Sequence, residues 1–154
     1  MTEPAIAAIP NFLQISETVA TAGQPTEAQI AAIQAAGYRV VINLALPSST
    51  NALPHEQALV EAQGMIYVHI PVLWEAPALA DVEQFFSTMQ AHAEQPRFVH
   101  CAKNMRVSAF MYLYRRLYEG VDEMIARRDL QSIWIPNDRW QAFIAQVVQY
   151  YQQH

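Results

Sequence analysis

The sequence predicts an α/β fold, with a mainly parallel central sheet and helices on both faces. Three observations carry that expectation. Short β-branched apolar runs, Tyr38–Leu44, Met65–Val72 and Arg97–Cys101, alternate with longer amphipathic stretches, as strands and crossover helices do in a parallel sheet. The Tyr38–Leu44 run is apolar at consecutive positions rather than at every second one, as a strand covered on both faces is. Turn and stop signals separate the runs: Gly23-Gln24-Pro25, Gly37, Gly64 and Asn137-Asp138.

Each element has its own local reason. Ile15–Ala22, rich in Thr and Val, is expected to hold one or two short strands. Thr26 then starts a helix: with Gln29 three residues on it forms a capping box, and Ile30 and Ile33 continue the turn spacing. Gly37 ends that helix, and Tyr38–Leu44 follows as a buried strand. After the polar segment Pro47–Asn51, a helix is expected from about Pro54 to Gln63, closed by Gly64. Met65–Val72 is the next strand and Leu73–Pro77 a loop. A helix from about Leu79 to Ala93 places Val82, Phe85, Phe86 and Met89 on one face. Arg97–Cys101 is a further strand, and helices follow at about Val107–Glu119, Val121–Gln131 and Asn137 onward, with Asn137 or Asp138 as the cap of the last. No repeat or linker interrupts the chain, so residues 1–154 are expected to form a single domain.

Composition narrows the function classes. A chain of 154 residues with 53% hydrophobic and 15% charged residues can bury a sizeable core and is not a disordered segment. The net charge of −5 argues against a general nucleic-acid or membrane-surface binder. Arg106, Arg115, Arg116, Arg127 and Arg128 still leave room for a local positive face around an anionic substrate. One cysteine excludes an internal disulfide and suits a reducing compartment. Met1-Thr2-Glu3-Pro4 lacks a basic leader region, and no stretch is long enough to span a bilayer. The expected location is the cytoplasm.

The chemistry concentrates in His100-Cys101-Ala102-Lys103-Asn104-Met105-Arg106-Val107-Ser108. An apolar run leads into it and an amphipathic helical pattern leads out. In a parallel sheet ligands bind beyond the carboxyl ends of the strands, and Cys101 falls at such an end. The first turn of the following helix offers unsatisfied N–H groups, a setting that binds anions and favours a thiolate. Lys103, the chain's only lysine, and Arg106 lie in the same loop. Cations there oppose the helix dipole unless an anion sits between them and the helix. The loop therefore reads as an anion cradle built around a sulfur nucleophile.

Together with Ala22-Gly23-Gln24-Pro25-Thr26, Val41-Ile42-Asn43-Leu44 and His69-Ile70-Pro71-Val72, the stretch from His100 to Phe110 resembles the small bacterial phosphatase-like family related to dual-specificity and tyrosine phosphatases. The same domain occurs attached to metallo-β-lactamase-like hydrolases. The resemblance implies a cysteine-phosphatase-like fold and a metal-free, cofactor-free phosphatase acting through a phosphocysteine intermediate. Cys101 would be the nucleophile, Arg106 the guanidinium fork, and Ser108 a donor to the sulfur. His100 would orient the loop, and the amides of Ala102, Lys103, Asn104, Met105, Arg106 and Val107 would cradle the phosphate. The substrate would be a phosphorylated small molecule or a phosphoprotein; monomer and homodimer both remain open.

The chain also departs from that pattern. The phosphatase signature carries one more residue between cysteine and arginine than the four found here, so Val107 takes the arginine's place while Ser108 stays in register. One residue near a helix start rotates a side chain by about 100°. Asn104 replaces a common glycine, and asparagine is the side-chain-bearing residue that best tolerates positive φ. The expected acidic residue of the Leu73–Pro77 loop, an aspartate, is absent; Trp74 and Glu75 stand there instead. Glu75 is the candidate general acid if burial raises its pKa, and a solvated loop carboxylate otherwise. Asp81 is a second candidate, its place at a helix start favouring a capping role. Trp74 either flanks the pocket or packs.

Elsewhere the reading is structural. His69 reads as a core or edge histidine, and His55, His92 and His154 lack metal-ligand spacing. Trp134-Ile135-Pro136 with Trp140 reads as a hydrophobic clamp on the last helix, and Arg115-Arg116 and Arg127-Arg128 as solvated helix faces. Two other functions fit the same loop. Rhodanese-like sulfurtransferases place arginine five positions after the cysteine, as Arg106 stands here, and a pseudophosphatase would bind an anion or phosphopeptide without turnover.

Overall fold

Residues 6–154 are described by the structure, a computed structural model; Met1–Pro4, read above for a leader, lie outside them. The stretch around Ile15 forms two strands, β1 (Leu13–Gln14) and β2 (Val19–Ala22). They are followed by α1 (Glu27–Ala35), β3 (Val40–Asn43), α2 (Glu56–Ala62), β4 (Ile66–His69) and α3 (Leu79–Ala91). Then come β5 (Arg97–His100), α4 (Met105–Leu117), α5 (Glu123–Ile133) and α6 (Asp138–Gln153). The sheet order is β1-β2-β5-β3-β4. β1 is antiparallel to β2 at one edge and every other pairing is parallel, so the predicted α/β class holds.

Consecutive apolar residues serve two cores because successive side chains on a strand point to opposite faces. Val40, Ile42 and Val99 pack with Val82, Phe85, Phe110 and Trp140 of α3, α4 and α6. Val41 and Phe98 pack on the other face with Ile30, Ile33 and Val60 of α1 and α2. Full burial of each such side chain contributes about 1.5–3 kcal/mol. The strand ladders are shorter than the apolar runs. Beyond Asn43 and His69 the backbone bonding nevertheless runs on, with Leu44 N donating to His100 O (2.8 Å), Ile70 N to Asn43 O (2.9 Å) and Val72 N to Leu44 O (3.0 Å), and all three donor residues are buried.

Caps explain the helix starts. Thr26 Oγ1 accepts from Gln29 N (3.2 Å) and Gln29 Oε1 accepts from Thr26 N (2.9 Å), the capping box expected for α1. Asp122 accepts from Met124 N at 2.8 Å and starts α5 two residues later than the sequence pattern suggests. For α6 the cap is Asn137, whose side chain accepts from Trp140 N at 2.9 Å.

One helix-face expectation is corrected. Arg115 is buried, and its Nη1 meets Asp129 Oδ2 at 2.5 Å, tying α4 to α5. Arg116 donates to the Tyr112 hydroxyl (2.8 Å), while Arg127 pairs with Glu123 on the outer face of α5. Among the described residues no helix is long and apolar enough to cross a membrane.

Candidate active site

Cys101 leaves the carboxyl end of β5, the central strand, where His100 sits level with Ala22 of β2 and Asn43 of β3. The chain then turns through Ala102, Lys103 and Asn104 into α4, which begins at Met105 rather than at Val107. Asn104 makes that turn with φ of 64°, in the left-handed region. Its side chain is also tethered: Nδ2 donates to Asn11 O (2.8 Å) and to Thr21 Oγ1 (3.0 Å). The glycine-like position is thus filled by a residue that both accepts positive φ and anchors the loop to β2.

The loop carbonyls are engaged from the N-terminal side. Gln24 N donates to Ala102 O at 3.1 Å, and Asn11 Nδ2 donates to Lys103 O at 2.9 Å. Gly23 lies so close beneath that a Cβ there would stand 2.7 Å from Ala102 O. Several N–H groups have no such partners: among the described residues those of Ala102, Lys103, Met105, Arg106 and Val107 donate to nothing, whereas Ser108 N bonds Asn104 O at 2.9 Å.

Arg106 joins these donors. It is only 7% exposed, and its Nη1 donates to Val72 O, just past β4, at 2.9 Å. No carboxylate pairs with it among the described residues. A buried guanidinium without a counter-ion is costly, and its residue belongs to the helix N-terminal turn whose amides are unpartnered. Every one of these features is relieved by an anion. Cys101 itself is buried, in one cluster with Leu44, Val72 and Val107. Lys103 is exposed.

Two expected roles take a different form. Ser108 Oγ donates to Met105 O (2.9 Å) and accepts from Trp134 Nε1 (3.1 Å), with no hydrogen bond to the sulfur. Because α4 starts early, Ser108 lies a turn inside the helix and faces the α5–α6 connection. Glu75 is exposed in the β4–α3 loop and has no hydrogen-bond partner among the described residues. Asp81 accepts from Ala78 N at 3.1 Å and so caps α3; burial raises its carboxyl above the ordinary range.

That same loop is held by aromatic packing. Trp74 lies 5.2 Å from Trp134 and 5.7 Å from Trp140, ring centre to ring centre. Trp140 Nε1 donates to Trp74 O at 3.0 Å. The clamp predicted for α6 therefore reaches across to the β4–α3 loop and includes Trp74. His69 is half-buried at the edge strand, 2.6 Å from Ala45 O.

A buried polar chain behind the cysteine was not evident in the sequence. His100 is fully buried, with Nδ1 3.2 Å from Cys101 O and Nε2 2.6 Å from Glu56 Oε2. Glu56, in the first turn of α2, is buried too, and its Oε1 accepts from Gln24 Nε2 at 2.9 Å. Burial pushes the Glu56 carboxyl up, but the hydrogen bond and charge of His100, with help from Gln24 and His69, outweigh it and hold it below the ordinary range. The only sequence signal was position: Glu56 follows the loop that leaves the carboxyl end of a central strand. Among the described residues no three His, Cys, Asp or Glu side chains are grouped to hold a metal.

The arrangement defines the class. The fold is that of the dual-specificity and tyrosine phosphatases: a DUF442 phosphatase candidate from Shewanella putrefaciens CN-32 superposes with a TM-score of 0.86 at 36% identity, covering 95% of this chain and 96% of that one. Pseudomonas aeruginosa TpbA (TM-score 0.70, 19% identity, 88% and 84% covered) and Tk-PTP (0.76, 15%, 91% and 97%) share the fold. The chain belongs to the family described as a DSP-PTPase phosphatase fused to NAD+ kinase, which matches residues 4–144. A curated relative, the beta-lactamase hydrolase-like protein of Agrobacterium fabrum, is 33% identical over 123 residues, 78% of this chain. The chain spans only about a quarter of that protein's length, 27%.

Proposed function

We propose that the protein is a cysteine-dependent phosphatase that hydrolyses phosphate monoesters through a phosphocysteine at Cys101. The observation that carries this reading is a buried Arg106, paired with no carboxylate among the described residues, in the same loop as the free amides of Ala102, Lys103, Met105, Arg106 and Val107. A phosphoryl group supplies the acceptors and the negative charge that this donor set lacks. The Cys101 thiolate attacks phosphorus, the P–O ester bond breaks, and the leaving oxygen takes a proton, for which Glu75 is the unengaged carboxylate of the neighbouring loop. Water then attacks the phosphocysteine, releasing orthophosphate and restoring the sulfur. Arg106 follows the charge as it spreads over the transferring oxygens. TpbA was solved as a cysteine-to-serine variant with phosphotyrosine, which supports an aryl phosphate as the first substrate to assay.

Cys101→Ser is expected to lower aryl phosphate hydrolysis by a factor on the order of 10⁴ or more, while inorganic phosphate still protects the loop from exchange. Full activity in that variant would end the proposal. The short cysteine-to-arginine spacing favours a second reading, sulfur transfer. Thiocyanate formed from thiosulfate and cyanide, without phosphate release from any monoester, would put that reading first.

A further inference from the structure

Glu56 is buried in the first turn of α2, where a carboxylate is stable only with partners. Its partners explain its place. One oxygen meets His100 Nε2 and the other accepts from Gln24 Nε2. Both partners touch the loop backbone at the nucleophile and just after it: His100 Nδ1 faces Cys101 O, and Gln24 N donates to Ala102 O. One carboxylate is therefore tied, through two side chains, to the carbonyls of the cysteine and of the residue after it.

Proton bookkeeping follows from the acceptors. A backbone carbonyl can only accept, so His100 Nδ1 carries a hydrogen. Glu56 Oε2 lies 2.6 Å from Nε2; burial raises the Glu56 carboxyl, but the His100 contact, with Gln24 and His69, outweighs burial and holds it below the ordinary range. The ring before the cysteine is thus held between the Glu56 carboxylate and the Cys101 carbonyl. The other titratable groups facing Glu56 come from β4: His69, whose charge favours the carboxylate, and Tyr67, which stays neutral.

Resting on the phosphatase reading above, we propose that Glu56 is a positioning residue for the nucleophile. It holds the His100 ring against the Cys101 carbonyl and, through Gln24, the first turn of the loop, and so keeps the loop amides aimed where they favour the thiolate. Glu56 touches neither sulfur nor phosphate and acts through His100 and Gln24.

The test uses the single cysteine of this chain, which makes thiolate ultraviolet absorbance assignable without regard to solvent access or turnover. The pH midpoint of that absorbance is measured for the parent and for Glu56→Gln, each with its Cys101→Ser counterpart as the blank. The expected result is a midpoint moved up by about one unit or more in Glu56→Gln, about tenfold less thiolate at pH values below both midpoints. Glu56→Asp, which keeps the charge on a shorter arm, is expected to fall between the two. An unchanged midpoint in folded Glu56→Gln overturns the proposal. If Glu56→Gln does not fold, Glu56→Asp decides alone, and a parent-like midpoint there overturns it. The outcomes separate from those of the phosphatase assay. A shifted midpoint in a protein that hydrolyses no monoester sinks the phosphatase reading and leaves Glu56 in its role; robust hydrolysis with an unshifted midpoint does the reverse.

Discussion

Asn104 shows how one side chain can set the geometry of a loop. Its backbone is in the left-handed region, with φ of 64°, its amide is fully buried, and Nδ2 holds Asn11 and Thr21. The cost of a Cβ there and the gain of the tether can be separated. Left-handed backbone costs an alanine roughly 1–2 kcal/mol that a glycine does not incur, while either substitution removes the tether. Asn104→Ala is therefore expected to be less stable than Asn104→Gly by that amount in urea unfolding, although alanine is the better residue in most buried settings. Equal midpoints would mean that the loop does not hold the left-handed turn. The sequence disclosed this residue's conformational role but not its tether, because Asn11 and Thr21 are distant in the chain and carry no motif. Glu56 was hidden for the same reason: in an amphipathic pattern a glutamate reads as solvated, and only its meeting with His100, across 44 positions, shows otherwise.

At the scale of elements, the site is a junction of β5, α4 and the loops after β2, β3 and β4, and the clamp from α6 secures one of its sides. Trp140 is completely buried and bonds the Trp74 carbonyl, so α6 fixes the segment that carries Glu75. Trp140→Phe removes that donor and part of the ring volume. The expected cost is about 1–3 kcal/mol in global stability, from a lost hydrogen bond and an underfilled site. Faster amide exchange in Trp74–Ala78 than in β5 would mark the local effect; uniform exchange rates would show that the clamp does not act on the loop. Element order, type and approximate bounds were legible because strand runs and caps are local signals. The start of α4 was not: it depends on a left-handed residue, and the apolar pattern that announces a helix begins only at Val107. That two-residue difference turned Ser108 from the sulfur toward Trp134. Arg115 failed as a surface residue because its partner, Asp129, lies on the next helix.

For the whole molecule, the distribution of tyrosines sets an upper pH limit on the fold. Tyr67, Tyr112, Tyr114 and Tyr151 come from β4, α4 and α6, and burial is the first cause raising each of them above the ordinary phenol value. Tyr67 is pushed up to about 12; its hydroxyl accepts from Asn43 Nδ2, and the nearby Glu56 charge adds to the effect. A group whose pKa is raised on folding contributes stability that is complete below its unfolded value and is lost as pH climbs through its folded one. The window here therefore opens near pH 10 and runs to about 12 for Tyr67. Urea midpoints measured from pH 8 upward are expected to be flat with respect to these groups until about pH 10 and then to fall, with phenolate absorbance rising in step with unfolding. Tyr67→Phe should start from a somewhat lower midpoint, having left Asn43 Nδ2 unpaired, but decline less steeply above pH 10. Phenolate absorbance that developed fully near pH 10 in the folded protein, with no loss of stability, would show that these hydroxyls lie open to solvent and that the sheet and α4 are not closed over them.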